Sequence, residues 1–291
     1  MAKAKDEKKK PAPAQEVAQV KRTAIQGIEE ITDAKELAEY AGAENLGYST
    51  NIEDRGVPLL YIAQKGSPQI DKKQADKFIP DLEFGDMFNN LSREMWKGEG
   101  DDGGFDILPC FFRANYNIWT PRGDGGGFHG SEPRDTPLIK GMPNFVHPET
   151  KKVRRDIFVL PDGNHAVLTH HYFCVIKDTW EPIIVPMSAT QLGASRTWQA
   201  LIGAQKVQIA GRVAVKPAYM TTFKLKTAYK DDGDNQWYVF NPEIVGKTEN
   251  PLLRDFCKQF GLACAGNEIK MSAPEGAADT TQGEVEDEPE V

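Results

Sequence analysis

The sequence predicts a mainly β domain of the α+β class, built on an antiparallel sheet with one or two helices. Short apolar or alternating stretches, bounded by Gly, Pro, Asn and Asp, recur between residues 57 and 246. This is the pattern of strands joined by turns. Helix-like patterns interrupt it at only two places after residue 187. Of the 291 residues, 40% are hydrophobic, which is enough for a sizeable core.

The strand pattern is matched by eight stretches: residues 57–63, 105–119, 156–160, 165–176, 181–187, 206–216, 220–230 and 236–246. Pro109 lies inside the second stretch and marks an edge or a bulge, because proline cannot donate a ladder hydrogen bond. The segments "PDGN", after residue 160, and "DDGDN", after residue 230, are turn signals. The sequence therefore predicts antiparallel neighbours on either side of both turns.

Two helices are predicted from their start and stop signals. Ser188 begins the capping-box pattern "SATQ", with Gln191 in the third helical position, and the helix continues through "LGASRTWQALIGA". Asn250 caps the second helix, with Pro251 in its first position and Gly261 just past its end. Many strands around one mid-chain helix are typical of a closed or half-closed sheet, such as an oligonucleotide-binding barrel. A β-sandwich fits nearly as well.

Composition divides the chain into three parts. Residues 1–45 are a Lys-, Pro- and Ala-rich arm with short helical patterns, residues 46–265 are the β-rich domain, and residues 266–291 are an acidic tail. The scarcity of apolar residues near both ends predicts disordered termini. The sequence shows no apolar run of ~18 residues and no secretory pattern. We therefore expect a cytoplasmic protein that does not bind a membrane.

Charge is distributed unevenly along the chain. The net charge is −8, yet residues 182–230 contain no Asp or Glu. The same window holds seven cations, Arg196, Lys206, Arg212, Lys216, Lys224, Lys226 and Lys230. A local basic surface in an acidic protein predicts a polyanionic ligand. The alternative is an ordinary half-exposed sheet, because lysine also protects edge strands.

Two of the predicted strands place these cations in rows. In residues 206–216 the even positions are small, polar or cationic and the odd positions are mostly apolar, and the lysines of residues 223–230 again occupy even positions. Alternate side chains on a strand are about 6.7 Å apart, a spacing that follows the phosphates of an extended single strand. The predicted phosphate contacts are Lys206, Arg212, Lys216, Lys224, Lys226 and Lys230, and Arg196 on the preceding helix joins them.

The segment "NYNIWTPRGDGGGFHG", residues 115–130, combines aromatic rings with flexible backbone. Proteins that bind single strands stack bases on such rings beside a cationic groove, at about 1–3 kcal/mol per base. Trp119 and Phe128 are the predicted stacking platforms, and Arg122 is expected to pair with a phosphate or to lie over a base. Alternatively, both rings belong to the core at one end of a barrel.

The acidic tail gives a separate prediction. Its carboxylates are expected to compete with DNA for the basic surface and to recruit partners once DNA displaces them. The residues concerned are Glu284, Glu286, Asp287, Glu288 and Glu290. A tail that only increases solubility is the alternative.

No catalytic or metal site is predicted. The five histidines lack convergent carboxylate or thiolate neighbours, and no Ser or Cys nucleophile stands out. Acidic residues at 81, 83 and 149 match a metal-dependent nuclease pattern only weakly. The sequence therefore predicts a protein that is not an enzyme and that binds no cofactor.

Three stretches resemble a family of tailed-bacteriophage proteins. They are "VPLLYIAQKGSPQ" (57–69), the Trp-Thr-Pro-Arg sequence at 119–122 that runs into "GGGF", and "SATQLGASRTWQALI" (188–202). The family resembles phage replication proteins of the single-stranded DNA-binding type. This resemblance implies an oligonucleotide-binding barrel, an acidic C-terminal tail, phage replication proteins as partners and a place in the host cytoplasm.

Together these observations predict a protein that binds single-stranded DNA without sequence preference during phage replication or recombination. The sequence is compatible with an oligomer. Two other functions remain open. One is a phage virion or assembly protein whose basic strands meet an acidic subunit, and the other is a small metal-dependent nuclease.

Overall fold

The structure is a computed structural model that describes residues 56–121 and 127–266. Three sequence-based predictions lie outside these residues. They concern the N-terminal arm, the side chain of Arg122, and the acidic tail with its carboxylates from Glu284 to Glu290.

Strands dominate the described ranges. In chain order they are β1 (Leu60–Ile62), β2 (Met87–Asn89), β3 (Met95–Trp96), β4 (Phe105–Thr120), β5 (Gly127–Pro133), β6 (Asn144–Val146), β7 (Val153–Val159), β8 (His165–Ile176), β9 (Pro182–Ser188), β10 (Lys206–Ile209), β11 (Arg212–Val215), β12 (Thr221–Asp231) and β13 (Gln236–Lys247). The helices are α1 (Leu192–Ala204) and α2 (Pro251–Ala265). This content confirms the predicted mainly β, α+β class. No helix in the described ranges has the length and apolar character needed to cross a bilayer.

Two long central strands organise the main sheet. β4 and β8 pair antiparallel from Ile107 opposite Ile176 to Trp119 opposite His165. The strand order is β13-β12-β4-β8-β7-β6, with β5 also on β4 and β9 also on β8. β12 pairs with the first residues of β4, whereas β5 pairs with its last residues. The sheet therefore has two halves that share only the central strands.

Local predictions around these strands are confirmed. The register of β4 against β8 shifts between Pro109 and Phe111, which is the bulge expected at a proline inside a strand. The "PDGN" segment joins β7 to β8, and the "DDGDN" segment joins β12 to β13. Both pairs of strands are antiparallel neighbours.

The main sheet remains open and does not form a barrel. The outer edge of β13 meets two glutamine side chains in place of another strand. The Gln64 amide donates to the Tyr238 carbonyl at 2.9 Å and accepts from the Tyr238 N–H at 3.0 Å. The Gln191 amide donates to the same carbonyl at 3.0 Å and accepts from the Phe240 N–H at 3.0 Å. These amides satisfy backbone groups that a barrel would pair with a strand.

The two helices cover opposite faces of the central strands. Tyr172 and Phe173 are neighbours on β8, so their side chains point to opposite faces. Trp198 of α1 is fully buried and stacks on Tyr172 with ring centroids 4.3 Å apart. Cys257 and Phe260 of α2 pack in the core cluster that contains Phe173. The helices thus bury both sides of the sheet.

The start of α1 differs from the prediction. Ser188 makes no side-chain capping hydrogen bond, and a 3-10 turn over Ala189–Gln191 precedes the α-helix. The capping-box prediction is wrong because the Gln191 side chain bonds to β13 and does not reach back to the helix start. The hydrogen bonds of this buried amide to β13 replace the local bond that a capping box would make.

The start of α2 is confirmed, and its end is not. The Asn250 Oδ1 atom accepts hydrogen bonds from Leu252 N and Leu253 N at 2.9 and 3.2 Å. The helix continues past Gly261 to Ala265. A Cβ atom at Gly261 would lie 2.8 Å from the carbonyl oxygen of Cys110. The glycine therefore allows close packing of α2 on β4 and does not end the helix.

Candidate functional site

Residues 206–216 form a hairpin and not one continuous strand. β10 and β11 pair with each other in a two-stranded sheet that is separate from the main sheet. Ala210 and Gly211 both have positive φ angles, 48° and 79°, as a two-residue type I′ turn requires. The prediction of a single strand is wrong because the alternation of polar and apolar residues continues through the turn without a break.

The turn places the predicted row of cations on two faces. Lys206 lies opposite Val215, and Ile209 lies opposite Arg212. Directly opposite residues in an antiparallel pair share a face. Lys206 therefore lies on the face of Val215, whereas Arg212 lies on the other face with Ile209. Across a two-residue turn, even positions on one strand lie opposite odd positions on the other. The prediction that all even positions of residues 206–216 share one face is therefore wrong for β11.

Both faces of the hairpin are open to solvent. Ile209 is 62% exposed and Val213 is 73% exposed, although they lie on opposite faces. Lys206 and Arg212 are exposed and Lys216 is partly exposed. Within the described ranges, these three cations form no ion pair with a carboxylate. Their charges are therefore available to a ligand.

The lysines of β12 have carboxylate neighbours on adjacent strands. The Lys226 Nζ atom lies 3.3 Å from Glu243 Oε2 on β13. Lys224 lies opposite Glu243 on one side and Asp106 of β4 on the other. Asp106 also pairs with Lys177 at 2.8 Å. Carboxylates that are distant in sequence thus compensate part of the basic row, whereas Lys230 is exposed near the end of the strand.

The two predicted stacking rings form a pair at the opposite end of β4. Trp119 and Phe128 are half-buried, with ring centroids 4.8 Å apart and planes 50° apart. At about 3.3 Å per residue, Trp119 is roughly 40 Å along β4 from Asp106, which adjoins the β12 lysines. α2 covers β4 between these points, at Leu108 and Phe111. The rings and the β12 lysines therefore do not share one surface.

Arg196 lies at a cavity that the sequence did not predict. The cavity has a volume of about 400 Å³ and opens to solvent. β7 contributes Arg154 and Arg155, β8 contributes Leu168, and the start of α1 contributes Gly193 and Arg196. The volume falls at the lower end of the range for small-molecule sites.

The cavity has an excess of positive charge. Arg154 makes two hydrogen bonds to the carboxylate of Asp156, from Nε at 3.2 Å and from Nη2 at 2.9 Å. Arg155 and Arg196 form no ion pair with any carboxylate of the described ranges. Arg154 and Asp156 share one face of β7, and Arg155 between them points to the other, so with Arg196 the charge that faces the cavity is +1.

His170 lies beside this excess charge. Its Nδ1 atom is 2.6 Å from the Ser195 hydroxyl of α1. Burial lowers the pKa of His170, and the charges of Arg134 and Arg196 lower it further. His170 is therefore neutral at pH 7.

The exposed side of α1 connects the cavity with the hairpin. Its residues recur every three or four positions and are Gly193, Arg196, Thr197, Ala200 and Ala204. No acidic residue occurs between residues 192 and 216. The helix rises about 12 Å over the eight residues from Arg196 to its end at Ala204, two residues before Lys206. We call the surface from Arg196, over Thr197 and Ala200, to the hairpin cations Lys206, Arg212 and Lys216 the α1 path.

Comparison with known proteins gives the family. A family model described as Pam3 phage gp34-like protein matches residues 21–270, most of the chain. The chain belongs to the Pam3 phage gp34-like family. This confirms the bacteriophage part of the resemblance. The comparisons with curated proteins and with solved structures find no match.

In this gp34-like chain, sequence reasoning did not identify two of the three arginines that line the cavity. Arg154 and Arg155 belong to β7, well outside the acid-free window. The described ranges contain no group of three or more His, Cys, Asp or Glu residues arranged to hold a metal ion.

Proposed function

We propose that this phage protein binds single-stranded DNA without sequence preference along the α1 path, during phage replication or recombination. The observation that carries the proposal is the connection of unpaired cations by an exposed helix side without carboxylates. Arg196 lies at one end of the path, and the hairpin cations lie at the other.

The shape of the path favours a single strand over a duplex. A ligand must enter a cavity of about 400 Å³ and then follow α1 to a separate hairpin. Duplex DNA is stiff, with a persistence length of about 150 base pairs, whereas a single strand bends within a few nucleotides. The length of the path also suits the roughly 4–16 nucleotides that one single-strand-binding domain covers.

The chemistry of the path favours backbone contacts over base recognition. Arginine and lysine neutralise phosphates, and this releases counterions whatever the sequence of the strand. Lys206 and Arg212 lie on opposite faces of the hairpin, so a strand contacts at most three of the four cations on the path, and the expected slope of log K against log salt is about −2.1 for single strands. The Trp119–Phe128 pair and the lysines of β12 are not part of this path.

The direct test is fluorescence anisotropy with a labelled 20-nucleotide thymidine strand and a duplex of equal length, with and without Mg²⁺. We expect tighter binding of the single strand and no cleavage. The double variant Arg196→Gln/Arg212→Gln should weaken binding, and Lys72→Gln, at an exposed site outside the path, should not. Equal loss in both variants contradicts the α1 path, and absence of binding at low salt contradicts the function.

A virion or assembly protein is the second candidate, and the hairpin favours it. Ile209, Val213 and Val215 are large apolar side chains that are each more than half exposed. Clustered exposed apolar residues are typical of protein–protein contacts. Failure to bind any oligonucleotide in the anisotropy experiment would favour this candidate, whereas cleavage with Mg²⁺ would favour a nuclease.

A further inference from the structure

We infer that copies of this protein associate head to tail, with the tip of the β10–β11 hairpin of one copy docked on an acidic end of the main sheet in the next copy. The partner is therefore a second copy of the chain. Charge complementarity between two distant parts of the molecule carries this inference, which goes beyond the proposed function and does not rest on DNA binding.

The hairpin tip presents apolar and cationic side chains to solvent. Every residue from Gln208 to Val213 is exposed, and Ile209 and Val213 lie on opposite faces. Arg212 lies directly opposite Ile209 and forms no ion pair with a carboxylate of the described ranges. An isolated two-stranded hairpin is only marginally stable in water. Exposed apolar side chains on such an element indicate a surface that a partner covers.

The acidic end of the sheet consists of two segments that are distant in sequence. Residues 98–104 precede β4, and residues 229–236 contain the turn between β12 and β13. Together they hold six exposed carboxylates and one exposed lysine, so their net charge is −5. The carboxylates belong to Glu99, Asp101, Asp102, Asp231, Asp232 and Asp234, and the lysine is Lys230.

Two tyrosines hold these segments together. The Tyr229 N–H donates to Glu99 Oε1 at 3.3 Å, and the Tyr238 hydroxyl donates to Glu99 Oε2 at 3.0 Å. The Tyr229 hydroxyl also donates to Asp231 Oδ2 at 3.1 Å, and Tyr229 remains 41% exposed. The acidic end therefore presents an aromatic ring among carboxylates. Such a surface complements the apolar side chains and the guanidinium of the hairpin tip.

The hairpin and the acidic end lie at opposite ends of β12 and cannot meet within one copy. Gln191, just before α1, bonds to the β13 residue opposite Thr227. Trp198, later in α1, packs on Phe223 near the start of β12, with ring centroids 6.0 Å apart. The helix therefore leads toward the start of β12, whereas the acidic end adjoins its last residues. At a rise of about 3.3 Å per residue, the 11 residues of β12 span roughly 33 Å, and the four-residue hairpin strands are too short to bridge this distance.

A contact between two different surfaces of identical copies is heterologous, so its repetition produces a ring or a filament. Opposite charges steer the copies together. Salt should weaken the contact, because the Debye length falls from about 10 Å at 0.1 M to about 3 Å at 1 M ionic strength. Arg212 also belongs to the α1 path, so a bound strand and a neighbouring copy compete for the hairpin.

Sedimentation velocity of the full-length protein, freed of nucleic acid, tests this inference. Species larger than the monomer are expected to increase with protein concentration at about 0.1 M salt, with a dissociation constant at least about tenfold higher at 1 M salt. The double variants Ile209→Glu/Val213→Glu, on the hairpin tip, and Asp102→Lys/Asp234→Lys, on the acidic end, should each abolish association. The matched control Val153→Glu, which changes an exposed valine of β7, should retain it.

Mixing the two double variants distinguishes head-to-tail association from other kinds. The hairpin variant keeps an intact acidic end, and the acidic-end variant keeps an intact hairpin tip. An equimolar mixture should therefore form a dimer that does not grow further, even if the altered hairpin unfolds locally. Three results overturn the inference: an unmodified protein that stays monomeric at 0.1 M salt, association that survives either double variant, and a mixture that forms no dimer. None of these measurements contains DNA, so each result leaves the proposed function to its own test.

Discussion

The Nζ atom of Lys226 lies 3.3 Å from Oε2 of Glu243 on the neighbouring strand β13. This contact places a carboxylate inside the row of lysines that looked free of acidic residues in the sequence. Arg212 on the hairpin makes no such pair with a residue of the described ranges. Two cations from the same acid-free window therefore have different electrostatic surroundings.

This difference predicts unequal effects on DNA binding. Arg212→Gln should reduce the magnitude of the salt slope by about 0.7, because one counterion-releasing contact is lost. Lys226→Gln should leave the slope nearly unchanged, because Glu243 already neutralises Lys226. Anisotropy titrations between 50 and 200 mM salt, about the range in which such slopes are measured, give both values. Equal reductions in the two variants would show that the β12 lysines also bind the strand.

The acid-free window shows why the basic surface was only partly predictable. Sequence shows which residues precede and follow Lys224, but its carboxylate neighbours Asp106 and Glu243 come from β4 and β13. The alternation of even and odd positions predicted the side-chain faces only as far as Ala210. After the turn at Ala210 and Gly211, the even positions lie on the face that the odd positions occupy in β10. Strand content, the Pro109 bulge and the Asn250 cap depend on local chemistry, and these were predicted.

The Gln191 amide should contribute measurably to stability. Its side chain is 2% exposed and accepts a hydrogen bond from the Phe240 N–H. It also donates to Tyr238 O, but Gln64 donates to the same oxygen, so that carbonyl keeps a partner when Gln191 is replaced. Gln191→Ala leaves the Phe240 N–H without this acceptor, so we expect a loss of about 1–3 kcal/mol in the free energy of unfolding. Urea denaturation followed by circular dichroism measures it.

The matched control for that experiment is Gln208→Ala, which changes an exposed glutamine on the hairpin. It should alter stability by less than about 0.5 kcal/mol. A similar small effect for Gln191→Ala would mean that water or another side chain replaces the amide, and that β13 does not depend on it.

His171 should make the fold sensitive to mild acid. Burial lowers its pKa from 6.5 to about 3, and the charges of Arg113 and His170 act in the same direction. The unfolded chain binds this proton near pH 6.5 and the folded chain does not. Stability from this group is therefore complete above pH 6.5 and is lost progressively as the pH falls toward 3.

The size of this effect can be measured between pH 7.5 and pH 5. From the two pKa values we expect a loss of about 2 kcal/mol in the free energy of unfolding at pH 5. His171→Gln should reduce this pH dependence, whereas His129→Gln, at an exposed position, should retain it. Identical pH dependence in the unmodified protein and in His171→Gln would show that His171 does not titrate as a buried neutral group.

The cavity marks the limit of sequence reasoning about the site. Arg196 was predicted because it lies in the acid-free window, whereas Arg154, two residues before Asp156, lies outside it. Arg154 and Arg196 line the same cavity only because α1 packs on the face of β8 that presents His170 and Tyr172 to Ser195. Long-range packing of this kind leaves no pattern in adjacent residues.

Hydrogen exchange of the full-length protein, with and without a saturating thymidine 20-mer, tests the α1 path most directly. We expect slower amide exchange in peptides from residues 192–216 when the strand is bound, and unchanged exchange in β12 and in β5, which contains Phe128. Protection confined to β12 or to the Trp119–Phe128 pair, with none between residues 192 and 216, would contradict the α1 path as the binding surface.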